Sequence, residues 1–448
     1  MRDGDQLARK ASSARDVLRE MSELLLAYYG DDFTGSTDTL EALSINGVPT
    51  VLFLDAPQVA RLGHFAGVRA IGVAGVSRSR SPTWMSAHLP GVFRLLKDLG
   101  APVCQYKVCS TFDSSPETGS IGRALEIGQD AFGNPCVPVV VGVPALGRYV
   151  LFGHLFARAG GEVYRIDRHP TMKCHPVTPM TESDLRVHLG RQTQRKIGLV
   201  DILAIRSGAA ESRWQALARE GCQVVIFDGL DEESLLEIGR ILWTRRQAAE
   251  TFAVGSSGLD YALAFYWRTA GVVRPLASFP DPGPEDRIVV ISGSCSPVTE
   301  KQLRWAMANG FAGMKVAPDG ANFDEVRRRA LQELARGRSV AVYTALGPAD
   351  QRPGIPGEDL AQRLGVLLRE LLEASGVRRA VLAGGDTAGH AGRQLDVYAL
   401  TFLRPLDPGA PLCRAWCDNP RLDGLELVFK GGQIGAEDFF GAVLRGRR

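Results

Sequence analysis

The sequence predicts an α/β protein of two domains, each a mostly parallel sheet flanked by helices, with the active site in the cleft between the domains. Three observations carry this expectation. Apolar runs of strand length recur between helical patterns all along the chain, an alternation that means parallel strands covered by helices. A chain of 448 residues, 45% of them hydrophobic, exceeds one ordinary core and fills two. The segment 271–285 carries four prolines, so it continues neither a helix nor a central strand, and the strand pattern restarts beyond it. The expected division is an N-terminal extension over 1–22, a first domain over 23–270, a linker over 271–286 and a second domain over 287–448.

Taken in order, residues 1–22 are charged and rich in Ala and Arg, which fits a peripheral helix or a frayed arm. The apolar run 24–29 reads as a buried strand that stops abruptly at Gly30-Asp31-Asp32, and the Thr39-Leu-Glu-Ala-Leu-Ser that follows reads as a helix. Further strands are expected at 49–54, 69–74, 103–108, 137–143, 197–203 and 223–227. Helices begin at Gly119-Ser-Ile-Gly-Arg and at Thr181-Glu-Ser-Asp-Leu, the latter with Thr181 as N-cap and acidic residues in the first turn. In the second domain the strands fall at 287–291, 339–343, 379–383 and 425–429.

Charge and cysteine usage narrow the function classes. Lys and Arg total 52 against 50 for Asp and Glu, a net charge of +2, so no bulk field attracts nucleic acid or an anionic membrane, and the expected partner is a small molecule. The eight cysteines form no CxxC pair, which fits reduced thiols in the cytoplasm. The first apolar run is too short for a signal segment or a membrane span.

In open α/β sheets ligands sit at the carboxyl ends of the strands, so Asp31 and Asp32, with Asp38 close behind, are placed for chemistry. The competing reading is that they cap the helix and fill the turn. In the second domain two strands end in small-residue loops leading into helices. One is Ser292-Gly293-Ser294-Cys295-Ser296-Pro297, with Ser296 as N-cap and Pro297 at the first helical position. The other is Gly384-Gly385-Asp386-Thr387-Ala388-Gly389-His390, expected to lead into a helix at Ala391. Each offers backbone N–H groups and the positive end of a helix dipole, the makings of a phosphate cradle, although a plain tight turn looks the same in sequence. Lys430-Gly431-Gly432 follows a further strand. P-loop, dinucleotide and hydrolase signatures are missing. His169, Cys174 and His175, flanked by Pro170 and Pro176, lack metal-ligand spacing and suit a loop lining the cleft, while Cys413 and Cys417 suit a buried turn. No metal site is expected from protein ligands alone.

Tyr29-Gly-Asp-Asp-Phe-Thr-Gly-Ser-Thr-Asp, Ile291-Ser-Gly-Ser-Cys-Ser-Pro-Val-Thr-Glu-Lys-Gln-Leu, Gly384-Gly-Asp-Thr-Ala-Gly and Lys430-Gly-Gly-Gln-Ile-Gly-Ala-Glu-Asp-Phe-Phe together resemble the four-carbon acid sugar kinases. The likeness runs from about residue 24 to 440, with the motifs in matching order. It implies an ATP-dependent kinase acting on threonate, erythronate, 3-oxo-tetronate or a branched relative such as 3-oxo-isoapionate. It implies a sugar-acid-binding first domain and a nucleotide-binding second domain. By this resemblance Asp31, Asp32, Thr34, Arg78, Lys107, Ser110 and Thr111 bind the sugar acid, with Asp31 and Asp32 also the catalytic candidates. Ser292, Gly293, Ser294, Ser296, Gly384, Gly385, Asp386, Thr387, Gly389, Gly431 and Gly432 hold ATP, with Mg²⁺ as its companion.

Two departures stand out. Asp386 replaces the usual Glu, and the family's Lys-x-Asp-Ser-Thr-x-Arg-Gly reads Lys107-Val-Cys109-Ser110-Thr111-Phe112-Asp113-Ser, which loses an Asp and the Arg and leaves the exact acid open. Arg78, with Arg80, is the expected carboxylate clamp, and Asp113 is the fallback base. A homodimer is compatible with all of this. The alternatives are a two-domain small-acid binding or sensor protein without turnover and, more weakly, a nucleotide-dependent ligase or dehydrogenase.

Overall fold

The computed structural model describes residues 23–175, 177–246, 250–350 and 357–448, so the expected N-terminal arm, Pro176 and two short segments lie outside the described residues. The chain forms two compact units. Of the described residues, the first takes those up to Asp31, then Ala42–Val51 and Asp55–Pro275; the second takes Asp32–Glu41, Leu52–Leu54 and Leu276–Arg448.

The first unit contains strands β1 (Leu26–Gly30), β2 (Thr50–Phe53, in part), β3 (Ala70–Ala74), β4 (Val103–Lys107), β5 (Val137–Val140), β6 (Arg148–Leu151), β7 (His154–Ala159), β8 (Glu162–Arg165), β9 (Ile197–Val200), β10 (Val224–Phe227) and β11 (Thr251–Gly255). Its main sheet runs β2-β3-β1-β4-β11-β5-β10-β9. β1 pairs in parallel with both β3 and β4, so Gly30, Ala74 and Lys107 lie side by side at the carboxyl edge. Every residue of β1, β3 and β4 is buried, as expected of strands covered on both faces. Helices Pro82–Asp98 and Ile121–Phe132 have apolar faces that bury Leu89, Phe93, Leu125 and Phe132, and both start with a serine cap, Ser81 accepting from Trp84 N and Ser120 from Arg123 N.

The expected strand 197–203 is cut short at Val200, because Asp201 caps a new helix, Ile202–Arg206, by accepting the amide of Ala204. The helix expected to be capped by Thr181 begins instead at Leu185, with Asp184 accepting from Arg186 N. β6, β7 and β8 form a separate antiparallel sheet that the strand pattern did not announce. Its first turn, Phe152-Gly153, is held by Asp228, whose buried carboxylate accepts both amides at 2.5 and 2.8 Å. Burial raises that carboxyl to about 6 despite the donated hydrogen bonds.

The second unit contains β12 (Val289–Ser292), β13 (Ala312–Lys315), β14 (Val340–Tyr343), β15 (Arg379–Ala383), β16 (Val397–Asp407), β17 (Ala410–Cys417) and β18 (Glu426–Lys430), in the order β13-β14-β12-β15-β18-β17-β16. β13, β14, β12, β15 and β18 are parallel, which brings the ends of β12, β15 and β18 together at one edge. β16 and β17 add an antiparallel pair with irregular register. Cys413 and Cys417 therefore lie on a strand and not in a turn. Ile288, Val290, Leu303, Val381, Leu412, Val428, Phe439 and Phe440 make the core on one face. Into this apolar setting β15 introduces Arg379, which is fully buried. It bonds the Glu426 carboxylate and the carbonyls of Val443, Leu444 and Gly283, so its donors are satisfied and the end of the chain is tied to the sheet. Among the described residues no helix is long and apolar enough to cross a membrane.

Candidate functional site

The carboxyl edge of the first unit gathers the residues singled out for the sugar acid. Asp31 follows β1, and its amide donates to Lys107 O at 2.9 Å while its carbonyl accepts from Arg78 N at 3.1 Å. Three neighbouring strand ends are thereby knitted into one turn cluster. Lys107 is fully buried and donates through Nζ to Val108 O at 3.1 Å. Arg78 sits in the single helical turn Ser77–Ser79 after β3, where Ser77 shares a hydrogen bond with the Tyr106 hydroxyl at 3.0 Å. Ser110 and Thr111 are buried on the segment leaving β4.

The guanidinium of Arg78 is paired with Asp113, its Nη2 lying 2.8 and 2.6 Å from the two carboxylate oxygens. Thr111 and Thr178 donate their hydroxyls to the same carboxylate at 2.5 and 3.1 Å. Burial pushes the Asp113 carboxyl up, but Arg78, His175 and the Thr111 hydroxyl outweigh it and hold it well below the usual carboxylate range. Asp113, the fallback base of the sequence reading, is thus a poor proton acceptor and a strong counter-ion: its oxygens are occupied and its charged form is the favoured one. The Arg80 carbonyl accepts from Gly119 N at 2.9 Å, and a Cβ on Gly119, which has φ +63°, would lie 2.4 Å from Arg78 O. The loop behind Arg78 is closed by a glycine that no other residue replaces without strain.

Asp32, the second half of the acidic turn, belongs to the second unit. Its Oδ1 accepts from Gly35 N at 2.6 Å and its Oδ2 from the Thr34 hydroxyl at 2.9 Å. The bond from Gly35 N is that of an N-cap on helix Phe33–Ile45, so Asp32 caps this helix. The same carboxylate faces the second unit's glycine segment, since a Cβ on Gly385 would stand 3.7 Å from Asp32 Oδ2. Asp38 is buried on the same helix. So is Glu41, which accepts Gly409 N at 2.6 Å and which burial, with Asp38 and Asp407 adding to it, raises to about 8.

Three loops meet at the ends of β12, β15 and β18. Gly293 N donates to Ala383 O at 3.1 Å and Gly384 N to Lys430 O at 2.8 Å, which links the three strand ends in series. A Cβ on Gly293 would lie 2.0 Å from Thr387 Oγ1, and one on Gly432 would lie 2.6 Å from Ser294 Oγ. Only bare backbone fits there. Ser292 accepts from Ser294 N, Ser294 from Ser296 N, and Ser296 caps the helix Pro297–Ala308 by accepting from Val298 N at 3.2 Å.

The glycine segment differs from the expected loop. Gly384, at φ +114°, makes the whole turn, and the helix runs Gly385–Gly392 from the very next residue. Gly384-Gly385 is thus a strand-to-helix junction whose first-turn amides point out of the helix end, which is the anion-binding arrangement. Gly389 is one turn further in and packs on Phe33, its Cβ position 3.3 Å from the ring, so it serves helix packing. The Asp386 side chain lies outside what is described; its backbone is in the first turn. Gly431 and Gly432 border the serine loop.

The sequence reading passed over three side chains here. Lys430 is fully buried at the end of β18, and burial pushes its amine down to about 7. Thr299 and Gln302, three residues apart on one face of a helix, are also fully buried. Their signal was present, since polar residues at core-facing positions beside a phosphate-type loop ask for a reason. Among the described residues no group of three His, Cys, Asp or Glu could hold a metal. His169 accepts the amides of Thr171 and Met172, and His175 accepts that of Thr178.

The family description "sugar-binding N-terminal domain" matches residues 26–263, and "nucleotide-binding C-terminal domain" matches residues 289–440. A 3-oxo-isoapionate kinase of Paraburkholderia graminis is 49% identical over 446 residues, covering 95% of both chains. A 3-oxo-tetronate kinase of Cupriavidus necator is 31% identical over 438 residues, covering 94% of this chain and 96% of its own. A solved structure from Salmonella typhimurium LT2 covers 95% of this chain and 99% of its own, with a TM-score of 0.72 at 26% identity. One from Haemophilus influenzae, at 23% identity and a TM-score of 0.68, shares the fold. With both halves of the chain matched and relatives aligned end to end, the chain belongs to the four-carbon acid sugar kinase family.

Proposed function

We propose that this kinase transfers the γ-phosphoryl group of ATP to a hydroxyl of a short 3-oxo sugar acid, and that 3-oxo-isoapionate, the acid named for its 49% identical relative, is its substrate. The single observation that carries the phosphoryl-transfer reading is the meeting of three glycine- and serine-built strand ends in the second unit, where side chains are excluded and helix N-termini are presented. The first unit supplies what such a reaction asks of the acceptor. Arg78, oriented by Asp113, pairs with the acid's carboxylate, Lys107 adds buried positive charge, and Asp31 orients and deprotonates the attacking hydroxyl. Asp32, capping its own helix while facing Gly385, is the carboxylate on the phosphate side.

Mg²⁺ is commonly held by one or two carboxylates plus phosphate oxygens, and Asp32 beside the glycine junction is a donor of that kind. When bound it neutralises phosphate charge. Residue 109 is Cys and residue 113 is Asp, so the acid meets a differently charged wall from the one an Asp and an Arg would build. Transfer also requires the two bound substrates in contact in a water-poor setting, and we expect compaction in small-angle scattering only when both are present.

The test is ADP release from ATP and Mg²⁺ with 3-oxo-isoapionate, 3-oxo-tetronate, threonate and erythronate in parallel. The reading expects the highest kcat/KM with 3-oxo-isoapionate. Turnover only with another acid of the panel overturns the substrate, and binding of acids without any ADP release overturns the kinase in favour of the small-acid binding protein.

A further inference from the structure

Lys430, Thr299 and Gln302 share one task. Lys430 Nζ donates to Gly431 O at 2.8 Å and to the Thr299 hydroxyl at 3.2 Å. Thr299 passes its own proton on to Gly432 O at 2.9 Å. Gln302 Nε2 lies 3.0, 2.9 and 3.0 Å from the carbonyls of Ile434, Gly435 and Ala436. Five carbonyls of the closing segment are thus drawn into the interior by three fully buried side chains. Two of these side chains stand on the helix Pro297–Ala308, whose capped N-terminus is the end of the serine loop. The third stands at the end of β18 itself.

The arrangement is costly unless it has a purpose. Burying an amine, a hydroxyl and an amide is tolerated only when they are hydrogen-bonded, and apolar residues of the same shape would make a simpler core. A peptide unit presents a negative oxygen on one side and a positive N–H on the other. A carbonyl turned toward a triphosphate would repel it, whereas an N–H attracts it. Glycine is the residue whose peptides flip most easily, so a Gly-Gly loop beside phosphate needs its orientation imposed from outside.

We infer that Lys430, Thr299 and Gln302 are positioning residues of the nucleotide site, which hold the carbonyls of Gly431, Gly432, Ile434, Gly435 and Ala436 inward so that the N–H side of the closing loop faces the triphosphate. The inference rests on the reading of the second unit as the ATP site. Burial brings the Lys430 amine to about 7, and both its charged and its neutral forms carry the hydrogens for its two bonds, so the clamp holds across neutral pH. Because Thr299 and Gln302 ride on the helix that starts at Ser296, the serine loop and the closing loop are set by one rigid element.

The test uses the full chain. Thr299→Val keeps the shape and removes the hydroxyl, Thr299→Ser keeps the hydroxyl, and Lys430→Met keeps the length without the amine. Calorimetric titration with Mg²⁺ and ATP should show affinity weakened about tenfold in Thr299→Val and Lys430→Met, and within about twofold of the parent in Thr299→Ser. KM for the acid should move less than about twofold in all three. Equal ATP affinity in Thr299→Val and the parent overturns the inference, as does equal weakening in Thr299→Val and Thr299→Ser, or parallel shifts in both KM values. If Lys430→Met fails to fold, the Thr299 pair decides. A parent chain that binds no ATP overturns the nucleotide reading itself, a result distinct from a parent that binds ATP with variants that bind it equally.

Discussion

The two functional edges solve opposite problems. The first unit's cluster is made of charge: Asp31, Arg78, Lys107 and Asp113 are buried or nearly so, and Arg78 and Asp113 are held in their ionised forms by each other and by two threonine hydroxyls. The second unit's cluster is made of backbone: where Gly293, Gly384 and Gly432 stand, a methyl group would strike a neighbour or force a strained turn. In the proposed reading the first would distinguish one small acid from another, because charged partners left unpaired are penalised heavily. The second, in the same reading, would recognise only what every nucleoside triphosphate shares. Specificity is therefore expected to reside in the first unit and tolerance in the second. Asp31 and Asp32, adjacent in sequence, fall one on each side of this divide.

The largest effect that could break the comparison concerns Asp31. Asp31→Asn keeps size and hydrogen bonding but removes the proposed base, so turnover should fall roughly 10²–10⁴-fold while the melting temperature barely moves. Asp32→Asn should by contrast cost little stability, since Asn caps about as well as Asp, and Asp32→Ala about 1 kcal/mol. Near-normal kcat in Asp31→Asn would move the chemistry elsewhere. Asp113→Asn comes next. It leaves Arg78 in a largely buried place without its counter-charge, a change worth about 3 kcal/mol at the low end for broken buried pairs, since Arg78 keeps 21% of its side chain exposed. It should also raise KM for the acid and leave KM for ATP alone. Because the folded-state pKa of Asp113 is depressed, the pair stabilises the protein above the ordinary carboxylate pKa and fades as pH falls below it. Acid unfolding of Asp113→Asn should accordingly be shallower than that of the parent.

Glu41 sharpens the comparison from the other side, as a buried carboxyl with the opposite shift. Its folded pKa is raised from 4.5 to about 8, so its contribution is complete below 4.5 and lost as pH rises to about 8. The limiting slope is about 1.4 kcal/mol per pH unit. Glu41→Gln, which mimics the neutral form and can still accept Gly409 N, should flatten the stability profile across that window. An unchanged profile by thermal denaturation would mean that Glu41 is ionised in the fold.

How much of this was legible in sequence follows from what each feature depends on. β1 and β3 were legible because a strand buried on both faces is apolar along most of its length, β4 and β15 from the apolar residues that surround their buried Gln105, Lys107 and Arg379, and the serine and glycine loops because close backbone approach leaves few residue types to choose from. β16 and β17 were not, since an antiparallel pair with one half-exposed strand and several register shifts keeps no clean period. Arg78 was legible as a candidate, but its partner stands 35 residues away and depends on how two loops fold back. Glu41 looked like any helix carboxylate, because the amide that buries it lies 368 residues further on. Lys430 was part of a motif read for its glycines, and the carbonyls that explain its burial become visible only once the loop is closed.

The central claim is that acid chemistry belongs to the charged edge and phosphate holding to the backbone edge. Calorimetric titration of ATP with Mg²⁺ into Asp31→Asn and Gly385→Val, side by side, tests it most directly. Gly385→Val adds a side chain at the glycine helix's first position, where the nearest neighbour of its Cβ is Asp32 Oδ2 at a tolerable 3.7 Å, so the chain should fold and lose at least about tenfold in ATP affinity. Asp31→Asn should bind ATP within about twofold of the parent. Full ATP affinity in a folded Gly385→Val variant, together with weakened ATP binding in Asp31→Asn, would contradict the division of labour.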